Sequence, residues 1–221
     1  MTLIALEQQN NLGKYLSEVY KIPVLTEEEE VMYAKQKEEG NLNAAKILIS
    51  SHLRLVVKIA FKYQNYGLPM MDLISEGNIG LMKAVRDFSL SKGCRLATYA
   101  MWWIRASIQD FILKSWSLVK IGTTTAQKKL FFNLNKIKNK IMSCGQKHLN
   151  DENIKYISDT LSVSREEVID MDNRLYKKDV SLNQKSKNND KDGKEMMELV
   201  PAKTRTPEVI LACDNENKRR K

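Results

Sequence analysis

The chain has 221 residues, of which 43% are hydrophobic, and a net charge of +9. This length and composition exclude a wholly disordered chain and suit one or two globular domains. No apolar run reaches the roughly 20 residues that span a bilayer, and the N-terminus lacks a secretory signal pattern. Cys94, Cys144 and Cys213 are scattered without metal-ligand spacing, so we expect a cytoplasmic protein with neither a metal nor another cofactor.

Nearly every ordered segment is predicted to be helical, which gives an all-α fold. Thr26 and Glu29 form the capping-box pattern that opens a helix, and Asn41 or Asn43 can cap the next one. The predicted helices cover residues 11–20, 27–40, 42–66, 70–88, 94–121 and 126–142, with two shorter helices within 153–175.

The chain is predicted to divide into three parts. Residues 1–120 form a helical core domain, and residues 121–182 form a small three-helix domain that begins with a linker helix. Residues 183–221 form a flexible tail, because residues 183–193 are polar and charged and the rest contains too few large apolar side chains to form a domain alone.

The helix predicted at residues 94–121 has two different sides when its residues are placed at about 100° per step. One side is aliphatic and consists of Met101, Ile104, Ile108, Phe111 and Ile112. The roughly opposite side carries Tyr99, Trp102, Trp103, Arg95 and Gln109. Large aromatics beside a cation on a polar face are suited to stacking on unpaired nucleic-acid bases, because every base offers a π-face.

The positive charge is concentrated in the same part of the chain. Residues 92–140 contain ten Lys or Arg and one acid, Asp110, so their charge equals the +9 of the whole chain. All three tryptophans also lie in this stretch. Charge alone would fit a solvated surface, but a basic segment with outward aromatics is expected of a protein that binds single-stranded or melted nucleic acid.

The helix predicted at residues 70–88 also has a distinctive polar side. This side carries Asp72, Ser75, Glu76, Ile79, Met82 and Lys83. Apolar side chains among acids indicate a protein-docking surface. A metal-dependent nucleic-acid enzyme is an alternative, since Asp72 and Glu76 lie four residues apart and could hold a divalent ion. No third ligand or nucleophile lies nearby in sequence, so we expect no enzymatic activity and no catalytic residue.

Residues 153–175 suggest a different class of function. Two short helices separated by Leu161-Ser162-Val163-Ser164 resemble a helix-turn-helix, which would make the chain a free-standing DNA-binding regulator. Three packed helices without any nucleic-acid role give the same pattern. Such a regulator would bind duplex DNA specifically without a partner protein, and this property distinguishes it from a docking protein.

Two motifs in these helices resemble the core domain of sigma-70 family factors of bacterial RNA polymerase. They are DLISEGNIGLMKAV at residues 72–85 and TYAMWWIR at residues 98–105, and the resemblance covers roughly residues 12–120. QKKLFFNL at residues 127–134 resembles the short box of heat-shock sigma factors, and SWSLVK at residues 115–120 is similar to the same subgroup. The resemblance implies a sigma factor that binds core RNA polymerase and directs promoter recognition and melting at stress genes.

The resemblance also implies roles for individual residues. Docking on the coiled coil of the largest polymerase subunit is implied for Asp72, Ser75, Glu76, Asn78 and Met82. The box, associated with polymerase binding and with turnover by chaperones and proteases, adds Gln127, Leu130, Phe131 and Phe132. At the minus-ten element, melting and stacking on a flipped non-template base are implied for Tyr99, Trp102 and Trp103, and backbone contacts for Lys92, Arg95 and Arg105. Gln109 lies where the family reads the upstream part of that element, and residues 153–175 would contact the spacer or extended element.

The chain departs from the family pattern at several positions. Ser75 stands where many relatives carry Gln, so we expect a different affinity for polymerase. Cys94 and Leu96 occupy positions that are often aromatic in housekeeping members, which would reduce the melting surface. The C-terminal helix-turn-helix domain that reads the minus-thirty-five element is expected to be absent.

Overall fold

The computed structural model describes residues 2–120, 122, 124–141, 150–176, 179–185, 195–201 and 206–219. Over these ranges the regular secondary structure is helical and includes no β-strand, which confirms the predicted all-α class. The α-helices are α1 (Thr2–Val19), α2 (Glu27–Glu38), α3 (Leu42–Ala60), α4 (Met70–Asp87), α5 (Leu96–Ser115), α6 (Thr125–Ile141), α7 (Asp151–Leu161), α8 (Arg165–Tyr176) and α9 (Pro207–Arg219). Short 3-10 helices lie at Phe61–Tyr66, Leu90–Lys92 and Met196–Leu199.

Two compact units make up the chain, Met1–Lys177 and Lys178–Lys221. The boundary predicted at residue 120 falls inside the first unit, which contains α1 to α8. The second unit contains helical segments where the sequence predicts only a flexible tail. α9 has Glu208 in its first turn and Lys218 and Arg219 in its last, and this arrangement of charge favours a helix even where apolar residues are few. Most of the stretch predicted to be flexible, residues 186–193, lies outside the described residues.

Local polar signals set where the helices begin. The Thr26 hydroxyl accepts from the Glu29 amide at 3.4 Å and the Glu29 carboxylate accepts from the Thr26 amide at 2.9 Å, which confirms the predicted capping box. The side chain of Asn41, rather than that of Asn43, caps α3. The first helix begins at Thr2, earlier than the predicted residue 11, and the helix predicted to run to residue 66 continues beyond Ala60 as a 3-10 helix.

The core of the first unit lies between α3, α4 and α5. Ile104, Ile108 and Ile112 are fully buried, which confirms the predicted aliphatic side of α5. α4 approaches α5 closely because Gly80 has no side chain. A Cβ at Gly80 would lie 2.8 Å from the carbonyl oxygen of Trp103 and 2.9 Å from the Cα of Ile104. This backbone contact fixes the position of α5 against α4.

Helix α2 lies across the connection between α4 and α5. The Lys37 ammonium donates to the carbonyl oxygens of Arg86 and Phe88, at 2.6 and 3.1 Å, where α4 ends. The Glu38 carboxylate accepts from the amide of Leu90 at 3.3 Å. The last carbonyls of a helix lack intrahelical donors, so Lys37 satisfies two acceptors that α4 leaves open. α2 therefore holds the chain segment that leads into α5.

Helix α6 packs against the core on one side and against α8 on the other. The ring of Phe131 stacks on Tyr66, with centroids 5.7 Å apart, and meets Trp116 edge-on at 5.4 Å. Further along α6, the Lys138 ammonium forms a half-buried ion pair with Asp172 of α8 at 2.8 Å. These contacts make α6 the link between the core and the pair α7 and α8. Ser162 ends α7 in the left-handed conformation, within the turn predicted at residues 161–164.

Candidate nucleic-acid interface and docking face

Trp102 lies on the surface of α5, with 65% of its area accessible. The guanidinium carbon of Arg105, three residues later on the same helix, is 5.5 Å from the centre of the indole ring. A cation at this distance is attracted to the negative face of the ring. The pair presents a flat aromatic surface next to a positive charge, which is the chemistry that stacks on a base and attracts its phosphate.

Tyr99 and Trp103 are half-buried, so the prediction that they face outward needs correction. The Tyr99 ring packs on Phe88, with centroids 5.8 Å apart, and Trp103 lies 6.3 Å from Tyr99 in an edge-on arrangement. The cause is the close approach of α4, whose C-terminal end covers this arc of α5. A helical wheel describes a single helix and does not include the neighbours that pack against it. Trp102 is the residue of the three whose ring is mainly accessible.

Arg95 contacts an acidic residue of α2, Glu30, that the sequence pattern does not single out. The Arg95 guanidinium donates to Glu30 Oε2 at 2.7 Å, and the Leu96 amide donates to Glu30 Oε1 at 2.7 Å. Burial raises the pKa of Glu30, but the hydrogen bonds from Arg95 and Leu96 and the Arg95 charge outweigh burial, so its pKa lies below the ordinary value. The first turn of α5, which has no side-chain cap of its own, is thus held by a carboxylate from α2.

The other residues near the start of α5 differ in accessibility. Leu96 is fully buried and belongs to the core. The absence of an aromatic at this position therefore does not reduce the melting surface, contrary to the expectation from the family resemblance. Cys94 is exposed. The side chain of Lys92 lies outside the described part of the structure. Arg95 keeps 45% of its side-chain surface accessible despite its ion pairs, so a phosphate could still reach it.

A cleft of about 460 Å³ lies between α5 and α6. Its walls include Gln109 and Asp110 from α5 and Lys128, Lys129 and Lys136 from α6. Asp110, the single acid of the basic stretch, forms an ion pair with Lys114 at 2.6 Å. Because that pair offsets the charge of Asp110, the three lysines leave the cleft positive. A backbone phosphate that approaches the C-terminal half of α5 would be attracted by this positive charge.

Helix α4 exposes most of its predicted docking face. Asp72 and Ser75 are exposed, and Ile79 and Met82 have 39% and 47% of their areas accessible. Glu76 is half-buried. Asn78 is half-buried too, and its amide nitrogen donates to the hydroxyl of Tyr15 of α1 at 3.2 Å. The accessible face is therefore acidic at its start and apolar at its centre.

The heat-shock-type box on α6 is placed differently from its predicted role. Leu130 and Phe131 are buried, with 0% and 1% of their areas accessible, so in this arrangement a polymerase surface cannot contact them directly. The apolar stripe of α6 packs against Tyr66 and the core, which accounts for this burial. Gln127 and Phe132 are half-buried and keep part of their surface accessible.

The two alternative functions find little support in the described part of the chain. No three side chains among its His, Cys, Asp and Glu residues lie close enough to hold a metal ion, so Asp72 and Glu76 have no third ligand there. The segment 151–176, which contains α7 and α8, has seven acids and three bases, a charge of −4. Negative charge opposes approach to DNA phosphates. In the same ranges, no helix is both long and apolar enough to cross a membrane.

Comparison with known proteins finds two family models that match parts of this chain. Residues 11–43 match the model described as sigma-70 factor, region 1.2, and residues 48–117 match the model described as sigma-70 region 2. The second match contains α4, the exposed Trp102 and most of α3. Over these two stretches the chain is similar to sigma-70 factors.

Curated relatives are similar to this chain over a longer stretch. The chain is 52% identical over 183 residues to RNA polymerase sigma factor RpoH of Caulobacter vibrioides, a match that covers 82% of this chain and 62% of the relative. It is 54% identical over 173 residues to RpoH of Rhizobium radiobacter, covering 78% and 57%. It is 47% identical over 173 residues to the RNA polymerase sigma-C factor of Myxococcus xanthus, covering 78% and 59%. The chain thus spans about three fifths of the length of these relatives.

Proposed function

We propose that this chain is a sigma factor of the heat-shock branch, which binds core RNA polymerase and directs promoter recognition and melting. The observation that carries the proposal is the exposed Trp102 beside Arg105, in the basic stretch 92–140 and within the sigma-70 region 2 match. Similarity to RpoH relatives and the box on α6 support the heat-shock branch. The protein would act in the cytoplasm without enzymatic activity, and chaperones and proteases would control its turnover.

Melting would depend on stacking of a flipped non-template base on Trp102. Stacking on an aromatic side chain contributes about 1–3 kcal/mol per base, and extruding a base costs a few kcal/mol, so the two are comparable. Contacts to polymerase and to the DNA backbone would supply the remainder. The exposed parts of Tyr99 and Trp103 would border the flipped base. Lys92, Arg95, Arg105 and the lysines of the cleft would hold the backbone, and Gln109 would read the upstream base pair.

Docking would use the accessible face of α4 against the coiled coil of the largest polymerase subunit. Asp72, Ser75 and Met82 would make direct contacts, with Glu76 and Asn78 at the edge of the face and Ile79 as an added apolar contact. An apolar centre with charged surroundings is typical of a protein interface. Gln127 and Phe132 would contribute from α6, whereas Leu130 and Phe131 would support α6 from the core.

A free-standing helix-turn-helix regulator is the second candidate, and the charge of α7 and α8 argues against it. Its outward residues include Asp159, Glu166 and Asp170, which would face the DNA phosphates. In a sigma factor, these helices would instead lie near the spacer DNA while the basic segment supplies the affinity.

Base flipping tests the role of Trp102 directly. The full chain is assembled with core polymerase and mixed with promoter DNA. The non-template strand carries a fluorescent adenine analogue at the base of the minus-ten element that is expected to flip. Trp102→Ala should reduce the fluorescence change at least fivefold, because the stacking surface is removed. Tyr20→Ala, which removes an aromatic of similar exposure just after α1, is the matched control and should behave as wild type. An unchanged signal from Trp102→Ala would refute the stacking role.

Docking is tested by co-purification with core polymerase. Asp72→Lys reverses a charge on the accessible face of α4 and should abolish co-purification, while far-ultraviolet circular dichroism remains that of the wild type. Glu152→Lys makes the same charge change on α7 and should leave co-purification intact. Normal co-purification of Asp72→Lys would remove α4 from the docking surface.

A further inference from the structure

The side chain of Gln109 forms a hydrogen bond within the protein in the absence of DNA. Its side chain lies on the wall of the basic cleft, half-buried, seven residues after Trp102 on α5. Its amide nitrogen donates a hydrogen bond to the hydroxyl of Tyr63 at 3.0 Å. Tyr63 lies in the 3-10 helix after α3, so the bond joins two elements that are 46 residues apart in sequence.

The position of the Tyr63 ring is set by its neighbours. Phe132 of α6 meets it edge-on with centroids 6.5 Å apart, and Tyr66 lies 6.1 Å away. Burial raises the pKa of Tyr63, more than the bond from Gln109 lowers it, so the hydroxyl stays protonated and neutral at physiological pH. The oxygen that accepts from Gln109 is therefore held in place by packing from two aromatic rings.

A glutamine that reads a base must present its oxygen and nitrogen in a fixed order. Glutamine recognises adenine in the major groove by accepting from N6 and donating to N7. The terminal amide can turn by 180°, which exchanges the two atoms, because this torsion has two broad minima. A hydroxyl can accept from the amide nitrogen or donate to the amide oxygen. In this structure the Tyr63 hydroxyl accepts from the nitrogen, so the bond anchors the Gln109 side chain with its nitrogen toward Tyr63. The bond to Tyr63 uses one of the two N–H donors and leaves the other N–H and the oxygen for the base.

We propose that Tyr63 is a specificity-determining positioning residue, which orients the Gln109 amide toward an adenine of the upstream minus-ten base pair. The inference rests on the proposed function, in which Gln109 reads that pair. Because Phe132 belongs to the heat-shock-type box and packs on Tyr63, the box would influence base preference through this ring.

The test measures base-pair discrimination by the full chain bound to core polymerase. Binding is titrated on four duplex promoters that differ only at the upstream minus-ten pair, and discrimination is the ratio of the best to the worst affinity. Tyr63→Phe removes the hydroxyl and keeps the ring. The bond is worth about 1 kcal/mol, so discrimination should fall about fivefold. Tyr66→Phe, in the same 3-10 helix, removes a hydroxyl that does not contact Gln109 and should retain the wild-type ratio.

The double variant and Gln109→Ala separate the possible outcomes. Gln109→Ala should lower the ratio, and adding Tyr63→Phe to it should have no further effect, because Tyr63 acts through Gln109. If Gln109→Ala lowers the ratio and Tyr63→Phe does not, the role of Tyr63 is refuted while the sigma-factor function stands. Equal, additive losses would also refute it, since Tyr63 would then act independently. If Gln109→Ala leaves the ratio unchanged while Trp102→Ala abolishes base flipping, Gln109 does not read the pair and the inference fails. Failure of wild type to bind polymerase would refute the proposed function itself.

Discussion

Replacing Glu30 by Gln tests whether α2 holds the start of the base-stacking helix. The Glu30 carboxylate is 6% exposed, bonds to both the Arg95 guanidinium and the Leu96 amide at 2.7 Å, and is nearly isosteric with the amide of Gln. The substitution removes the negative charge, keeps one acceptor oxygen and replaces the other by an NH2 group, which cannot accept from Arg95 or Leu96. It therefore removes the charge and one hydrogen bond while it leaves the packing of the side chain almost unchanged.

The expected loss of stability is about 1–2 kcal/mol. A hydrogen bond to a charged group contributes about 1.5–3 kcal/mol and a neutral one about 0.5–1.5, so the Leu96 bond should weaken by about 1 kcal/mol. Arg95 is 45% exposed, so its ion pair is screened by solvent and adds at most about 1 kcal/mol. For a unit of this size, the melting temperature should fall by about 2–8 °C.

The assay is urea unfolding followed by circular dichroism, with Glu28→Gln as the control. Glu28 is an exposed carboxylate in the first turn of α2, so its loss should change stability by about 0.5 kcal/mol or less.

The pKa of Glu30 is lower in the folded chain than its ordinary value of 4.5. Its stabilisation is therefore complete above about pH 4.5 and is lost as the pH falls through the folded pKa. The difference between wild type and Glu30→Gln should narrow in that acid range. Equal stability of the Glu30 and Glu28 variants at pH 7 would refute the argument.

Two further substitutions test the packing of α4 and the charge of the cleft. Gly80→Ala should destabilise the protein by about 1–3 kcal/mol in thermal unfolding, because the added Cβ would lie 2.8–2.9 Å from backbone atoms of α5. The control is Gly13→Ala, whose Cβ would have no atom within 4 Å, so this variant should be neutral or stabilising. Stability unchanged by Gly80→Ala would contradict the close contact. Lys136→Gln should reduce the slope of log affinity against log salt by about one for promoter DNA, with base preference unchanged. An unchanged slope would take Lys136 out of the DNA path.

The helical periodicity of the apolar residues and the N-cap residues were sufficient to predict most helices of the first unit. The isoleucines of α5 repeat at helical spacing, and their stripe is buried as the pattern predicts. The orientation of Tyr99 and Trp103 was not predictable in the same way. Their accessibility depends on the approach of α4 to within backbone contact at Gly80, which is a property of two helices together. A wheel drawn for α5 alone cannot contain that information.

The polar contacts that organise the candidate site join residues far apart in sequence. Glu30 and Arg95 are 65 positions apart, and Glu30 is one of four consecutive glutamates that look alike in the sequence. Only Glu30 faces the core, because the helical period of α2 turns one member of the run inward. Family resemblance indicates Gln109 as a base-reading residue, whereas its partner Tyr63 has no sequence signal. Such pairs become visible only once the helices are packed.

The burial of the box on α6 changes where its influence on polymerase binding would originate. The aromatic motif of the box suggests an exposed recognition element, yet Phe131 packs between Tyr66 and Trp116 and Leu130 is fully buried. Removing such a ring leaves a cavity and would loosen α6, with effects of about 3–5 kcal/mol. A box variant that weakens polymerase binding could therefore act by displacing α6, Gln127 and the cleft lysines together. The ring of Phe132 extends the same packing to Tyr63, so the box connects the stability of α6 to the residue that orients Gln109.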